Sequence, residues 1–175
     1  MSRRTALIVL AIATLALGGF LLAIDPAGEA DGNPSIIDFE LAWSEQGAAE
    51  ILDEWGEEGE DAARLSLWVD FAYQLAYGAF LILAAVATRD LVAERGHHRL
   101  AAAGPIAIAA AAAAPLFDAI ENVWLLIALG GHGGDLTPLM GGIFASAKFT
   151  ATAVAIAYLL VGLVIRLRTR RAPAR

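Results

Sequence analysis

The sequence predicts an all-α integral membrane protein: a four-helix bundle with an extracytoplasmic amphipathic helical segment between the first and second helices. Three observations carry this expectation. The chain is 58% hydrophobic, against roughly 45–50% for soluble domains. The apolar residues gather in four blocks, each near or above the ~20 residues that cross a bilayer. The charges are segregated. Of the 19 acids, 13 lie between Asp25 and Asp61, a stretch with no Lys or Arg, whereas ten of the 12 basic residues lie at Arg3 and Arg4, in 89–99 and in 166–175.

The elements follow in order. Residues 5–24 form an uninterrupted apolar run and read as the first span. A cleaved secretory signal is the other reading, although the run exceeds the 7–15 residues of a usual signal core. Residues 25–64 form an acidic segment. Its first part, 25–33, is a linker containing Gly and Pro. Ser35 is placed to cap a helix starting at Ile36. Ile37, Leu41, Ala48, Ile51, Leu52 and Trp55 recur at helical spacing, with most acids off that stripe. One or two short amphipathic helices are expected here, broken near Gly47 and ended at Gly56. Trp43 and Trp55 suit the headgroup level. The acids of 57–61 favour the start of the next helix, where carboxylates meet the positive end of the dipole.

The second span is expected at 65–88, the third at 100–129 and the fourth at 138–167, with a basic tail at 168–175. A short basic loop, 89–99, joins the second and third spans. The glycine-rich 130–137 joins the third and fourth. Pro105 lies near the start of the third span; Pro115 is expected to kink or loosen it one turn before Asp118. Basic segments face the cytoplasm. Both termini and 89–99 are therefore placed inside, with 25–64 and 130–137 outside, in a multi-pass protein of a bacterial or archaeal cell membrane. The whole chain is one membrane domain whose constant partner is the lipid bilayer.

Polar residues inside the spans mark the candidate site. The second span carries Asp70, Tyr73, Gln74 and Tyr77 on one face, spaced i, i+3, i+4, i+7. The third carries Asp118, Glu121 and Asn122 at i, i+3, i+4. The fourth carries Lys148, the chain's single lysine. A charge at the bilayer centre costs roughly 2.5–3.5 kcal/mol on insertion scales, so such residues need partners. At 1.5 Å per residue, Tyr77, Asp118 and Lys148 fall roughly 15–18 Å from the outer ends of their spans. One shared cluster in the outer half is expected, formed by Asp70, Tyr73, Tyr77, Asp118, Glu121, Asn122 and Lys148, with Phe39, Glu40 and Trp43 as a lid. Small residues in 107–114 and at Gly141, Gly142, Ala145 and Ser146 allow helices to approach closely, within one chain or between copies.

Several chemistries are excluded or unsupported. No cysteine is present, which removes disulfides and thiolate chemistry. His97, His98 and His132 fall in expected loops, so no histidine metal or haem site, and no cofactor, is anticipated. The acidic outer segment argues against nucleic acid as a partner. Motifs for metalloproteases, serine hydrolases and phosphate-binding loops are absent. The polar cluster fits binding of a small molecule, a lipid headgroup or an ion or proton from the outer side. An intramembrane enzyme acting on a lipid or lipid-linked substrate is the first alternative. A structural or interaction protein whose cluster only packs the bundle is the second.

The stretches IIDFELA (36–42), ILDEWG (51–56), LWVDFAYQLAY (67–77), DAIEN (118–122) and AKF (147–149) resemble a group of uncharacterised bacterial four-span integral membrane proteins with a DxxEN motif. The resemblance covers most of the chain after the first span. It implies the four-span fold and no particular activity.

Overall fold

The computed structural model describes residues 1–28 and 33–170. Part of the expected linker, 29–32, and the end of the basic tail, 171–175, lie outside the described residues. Five helices follow one another: α1 (Arg3–Ala23), α2 (Ile36–Glu40), α3 (Glu45–Glu94), α4 (His98–Leu129) and α5 (Leu136–Arg170), with no strand among the described residues. Four of them are long and apolar enough to cross a membrane.

The short α2 forms because both of its ends are satisfied locally. The Ser35 hydroxyl accepts from the Asp38 N–H, while the Asp38 carboxylate accepts from the Ser35 N–H, a reciprocal cap. The Ser35 hydroxyl also donates to the Asp38 carboxylate at 2.7 Å, and this bond, with that from the Ser35 N–H, holds the carboxyl below its ordinary range. The expected break near Gly47 lies earlier, between Leu41 and Ser44. There the Ser44 N–H donates to the Ala42 carbonyl at 2.8 Å, across Trp43 at φ 60°. So tight a turn at a non-glycine residue is strained. It is held by the Trp43 ring, which packs so closely on α5 that a Cβ on Gly142 would sit 2.8 Å from it.

That break resets the phase of the amphipathic stripe. In α2 the buried pair is Phe39 and Glu40, while Ile37 and Leu41 are exposed. After the break, Ala48 and Trp55 are buried as the spacing predicts, with Ile51 and Leu52 packed beside them. Trp55 is core rather than a headgroup anchor: its Nε1 donates to the Pro34 carbonyl at 2.6 Å and its ring lies 5.2 Å from that of Phe39. α3 is interrupted at Gly56 (φ 61°, ψ −171°), a backbone state that glycine adopts freely. Helix resumes at once, with the acids of 57–61 in its first turns. Residues 57–94 then run for roughly 57 Å at 1.5 Å per residue. This exceeds the ~30 Å hydrocarbon thickness of a bilayer.

α3, α4 and α5 pack on one another, and α1 lies against α3 with no buried residue of its own. Most of the small residues do what their spacing predicts: Ala107, Ala111, Ala114, Gly141, Gly142 and Ala145 are buried, whereas Ser146 is exposed. α4 is continuous through both prolines, and the Pro115 ring seats on Gly78 of α3. His98 belongs to the first turn of α4 rather than to the preceding loop.

The three basic segments meet at one end of the bundle. Arg3 pairs with Asp90 at 2.9 Å, and Arg95 donates to the Ile165 carbonyl at 3.3 Å. At the other end, α2 and the start of α3 cap the bundle, and Asp135 accepts from the Glu45 N–H at 2.9 Å. One apolar core lies under this cap, around Phe39, Trp55, Leu67 and Leu125. A second, around Leu81, Ala111, Ala114 and Ala155, lies towards the basic end. The polar residues of the long helices form a layer between the two.

Candidate functional site

Polar groups between two apolar cores need partners, because each buried unpaired group is costly. The layer meets this demand mainly through Lys148. Its Nζ hydrogen-bonds to Asp118 Oδ1 and to Glu121 Oε1, each at 3.0 Å, and lies 3.1 Å from Glu40 Oε2. One ammonium thus ties α5 to α4 twice and to α2 once. The second Asp118 oxygen accepts from the Tyr77 hydroxyl at 2.7 Å, which brings in α3.

A second knot sits beside the first. Asn122 Nδ2 donates to Asp70 Oδ2 at 2.8 Å and to the Leu67 carbonyl at 3.2 Å. Gln74 Nε2 donates to the same Asp70 oxygen at 2.5 Å. The i, i+4 step from Asp70 to Gln74 makes the second of these donors geometrically natural.

A cavity of about 750 Å³ opens against this layer. α1 and α5 form its flanks, α3 its back, and Ile36, Ile37 and Glu40 of α2 its outer end. Its opening is lateral, where Leu15 and Leu22 of α1 and Ile156 of α5 are exposed. Of the residues anticipated as a site, Asp70, Tyr73, Tyr77, Asp118, Asn122 and Lys148 line this cavity. Glu121 does not; it is wholly buried behind Lys148, at 0% exposure. The anticipated lid residues go three ways. Glu40 joins the Lys148 cluster and faces the cavity, Phe39 is core, and Trp43 packs outside on α5.

Comparison with known protein families, curated proteins and solved structures returns no match for this chain. The chemistry of the cluster is therefore argued from its own geometry.

Three carboxyl groups, Glu40, Asp118 and Glu121, converge on one ammonium, and Asp70 lies in the adjoining knot. The excess is visible as two buried oxygens, Glu40 Oε2 and Glu121 Oε2, that receive no hydrogen bond among the described residues. Both carboxyls lie on the same ammonium, Glu40 at 3.1 Å and Glu121 at 3.0 Å. Loss of hydration pushes the Glu40 carboxyl above its ordinary value of 4.5, with Lys148 pulling the other way. The folded protein then holds a proton on Glu40 more tightly than the unfolded chain does. The associated stability is complete below about pH 4.5 and declines as pH rises through the folded value. Thermal unfolding followed between pH 4 and 8 is expected to show that decline, and Glu40→Gln is expected to flatten it. An unchanged pH profile in the variant would remove Glu40 from the proton balance.

One participant was not assigned to the site from sequence. Gln74 was visible on the polar face of α3, but its role as the second donor to Asp70 depends on its rotamer. Glu40 was expected in a lid, and its place against Lys148 was not visible in a short helix of otherwise mostly apolar residues.

Proposed function

We propose that this is a polytopic membrane protein that binds a lipid-like amphiphile in the lateral cavity. The chain of the ligand lies against the apolar walls, and its polar end meets Asp70, Tyr73 and the edge of the Lys148 cluster. The basic end faces the cytoplasm of a bacterial or archaeal cell, and the α2 cap faces out. The ligand then reaches the site from the outer half of the membrane. The observation that carries this reading is the joining of two features: a side-opening apolar cavity of about 750 Å³, and a polar layer at its inner wall. That volume falls in the ~300–1,000 Å³ range of small-molecule sites. Ionisable residues at membrane depth are functional by default.

Gly19 supplies the test. It lines the cavity on the same face of α1 as Leu15 and Leu22, and a Cβ there meets nothing within 4 Å. Gly19→Trp is expected to leave the melting temperature of the purified protein unchanged while narrowing the opening. Retention of co-extracted amphiphile, read by native mass spectrometry, is expected to fall about tenfold, the equivalent of ~1.4 kcal/mol. The reading fails if wild-type protein retains no amphiphile and none that is added raises its melting temperature.

A second reading, that the cluster is structural, is favoured by Glu121 alone. It is fully enclosed and bonded to Lys148, so its role is to hold the ammonium rather than to touch a ligand.

A further inference from the structure

The groups at the polar end of the cavity are unequally committed. Lys148 is the only Lys or Arg among the described lining residues, and it is already surrounded by Glu40, Asp118 and Glu121. The Asn122 amide is spent on Asp70 and the Leu67 carbonyl, and the Tyr77 hydroxyl on Asp118. No free cationic donor remains for a phosphate or carboxylate head. The acceptors are different. Asp70 receives both amides on Oδ2, and among the described residues nothing donates to Oδ1. Asp70 is only partly buried and lines the cavity.

An aromatic surface adjoins it. Tyr73 lies one turn from Asp70 on the same face of α3, and its ring contacts that of Tyr77 at 5.0 Å. Its other neighbour is Gly18 of α1, where a Cβ would be 3.3 Å from the ring. Tyr73 therefore stands between α1 and α3, in the wall of the cavity. A carboxylate oxygen with an unused lone pair beside an aromatic face is a recognition pattern for ammonium groups. The charge balance points the same way. Asp25 also lines the cavity, so four carboxyls, those of Asp25, Glu40, Asp70 and Asp118, face it with one cation. An incoming cation offsets that excess, and an anion adds to it.

We propose that the occupant is a cationic amphiphile, a primary or quaternary ammonium on a hydrocarbon chain. Its head sits between Asp70 and Tyr73, and its chain follows the opening between α1 and α5. This rests on the amphiphile reading above and narrows it to one class of head.

The test uses three probes with one tail: dodecyltrimethylammonium, dodecanol and dodecyl phosphate, each radiolabelled. Equilibrium binding to the full-length protein is measured in maltoside micelles. Dodecyltrimethylammonium is expected to bind about tenfold or more tighter than dodecanol, from charge-assisted and cation–π contacts together. Dodecyl phosphate is expected to bind more weakly than dodecanol. Asp70→Asn is expected to erase the cationic preference. Its amide can turn its carbonyl to Gln74 and Asn122, so the fold retains its partners. Tyr73→Leu is expected to reduce the preference without abolishing it, and it serves should Asp70→Asn fail to fold. Equal binding of the three probes, or tightest binding of dodecyl phosphate, overturns the cationic assignment and leaves the amphiphile reading standing. Binding of none of them removes both. Displacement by tetramethylammonium chloride alone, with no contribution from tail length, would identify a small-cation site and also overturn the proposal.

Discussion

Lys148→Met is expected to cost about 3–5 kcal/mol of stability, the range for removing one partner of a buried ion pair. The loss arises from what remains rather than from the bonds deleted. Asp118 and Glu121 each lose a hydrogen bond of 3.0 Å, and Glu40 loses its counter-ion at 3.1 Å. Three buried carboxyls are then left without their cation. Interhelical hydrogen bonds in membranes average only about 0.6 kcal/mol, so simple bond counting would forecast a much smaller effect. The two accounts are separable. Adding Asp118→Asn and Glu121→Gln to Lys148→Met removes two of the three stranded charges while keeping side-chain size, and should recover more than half of the loss. The measurement is thermal unfolding in detergent, with gel filtration to score folded monodisperse protein. A single variant as stable as wild type would mean that the cluster does not hold α2, α4 and α5 together.

The second large effect is expected at Gly78. A Cβ there would lie 2.7 Å from Cγ and 3.1 Å from Cβ of Pro115. A proline ring has no rotamer by which to withdraw, so α3 and α4 must separate. Replacing glycine within a helix brings up to about 1 kcal/mol of propensity gain, but overpacking costs typically ~1–3 kcal/mol. Gly78→Ala should therefore be mildly destabilising, and Gly78→Val clearly so. The contact lies next to the site: Tyr77 precedes Gly78, and Asp118 follows Pro115 by three residues. Separation at this point should also weaken the 2.7 Å bond between Tyr77 and Asp118. Ligand affinity is then expected to fall along with melting temperature. Pro115→Ala combined with Gly78→Ala removes the ring and should return both towards wild type. Gly78→Val melting at the wild-type temperature would show that the helices tolerate the added volume.

Pro115 acquires its meaning from this contact. Alone, it suggested a loosened turn that re-aims Asp118. In the fold, α4 is continuous and the ring is a spacer that sets how near α3 comes. The presence of the proline was legible in the sequence; the residue beneath it was not.

The same division runs through the rest of the molecule. Hydropathy and helical periodicity are local properties, and by themselves they determined the four long helices, the gathering of basic segments at one end and the polar faces of α3 and α4. The Ser35 cap and the stop at Gly56 were equally local. Asp118, Asn122, Asp70, Tyr77 and Lys148 could be expected to meet because their heights along antiparallel helices agree. Rotation of one helix against another leaves no mark on either helix's own period. Only the tertiary structure decided that Glu121 turns away from the cavity while Asp118 faces it. It also decided that Glu40, carried on a separate five-residue helix, becomes a third carboxylate on Lys148. The turn at Trp43 broke the phase of the amphipathic stripe, and from there the buried side of α2 depended on what it docked against.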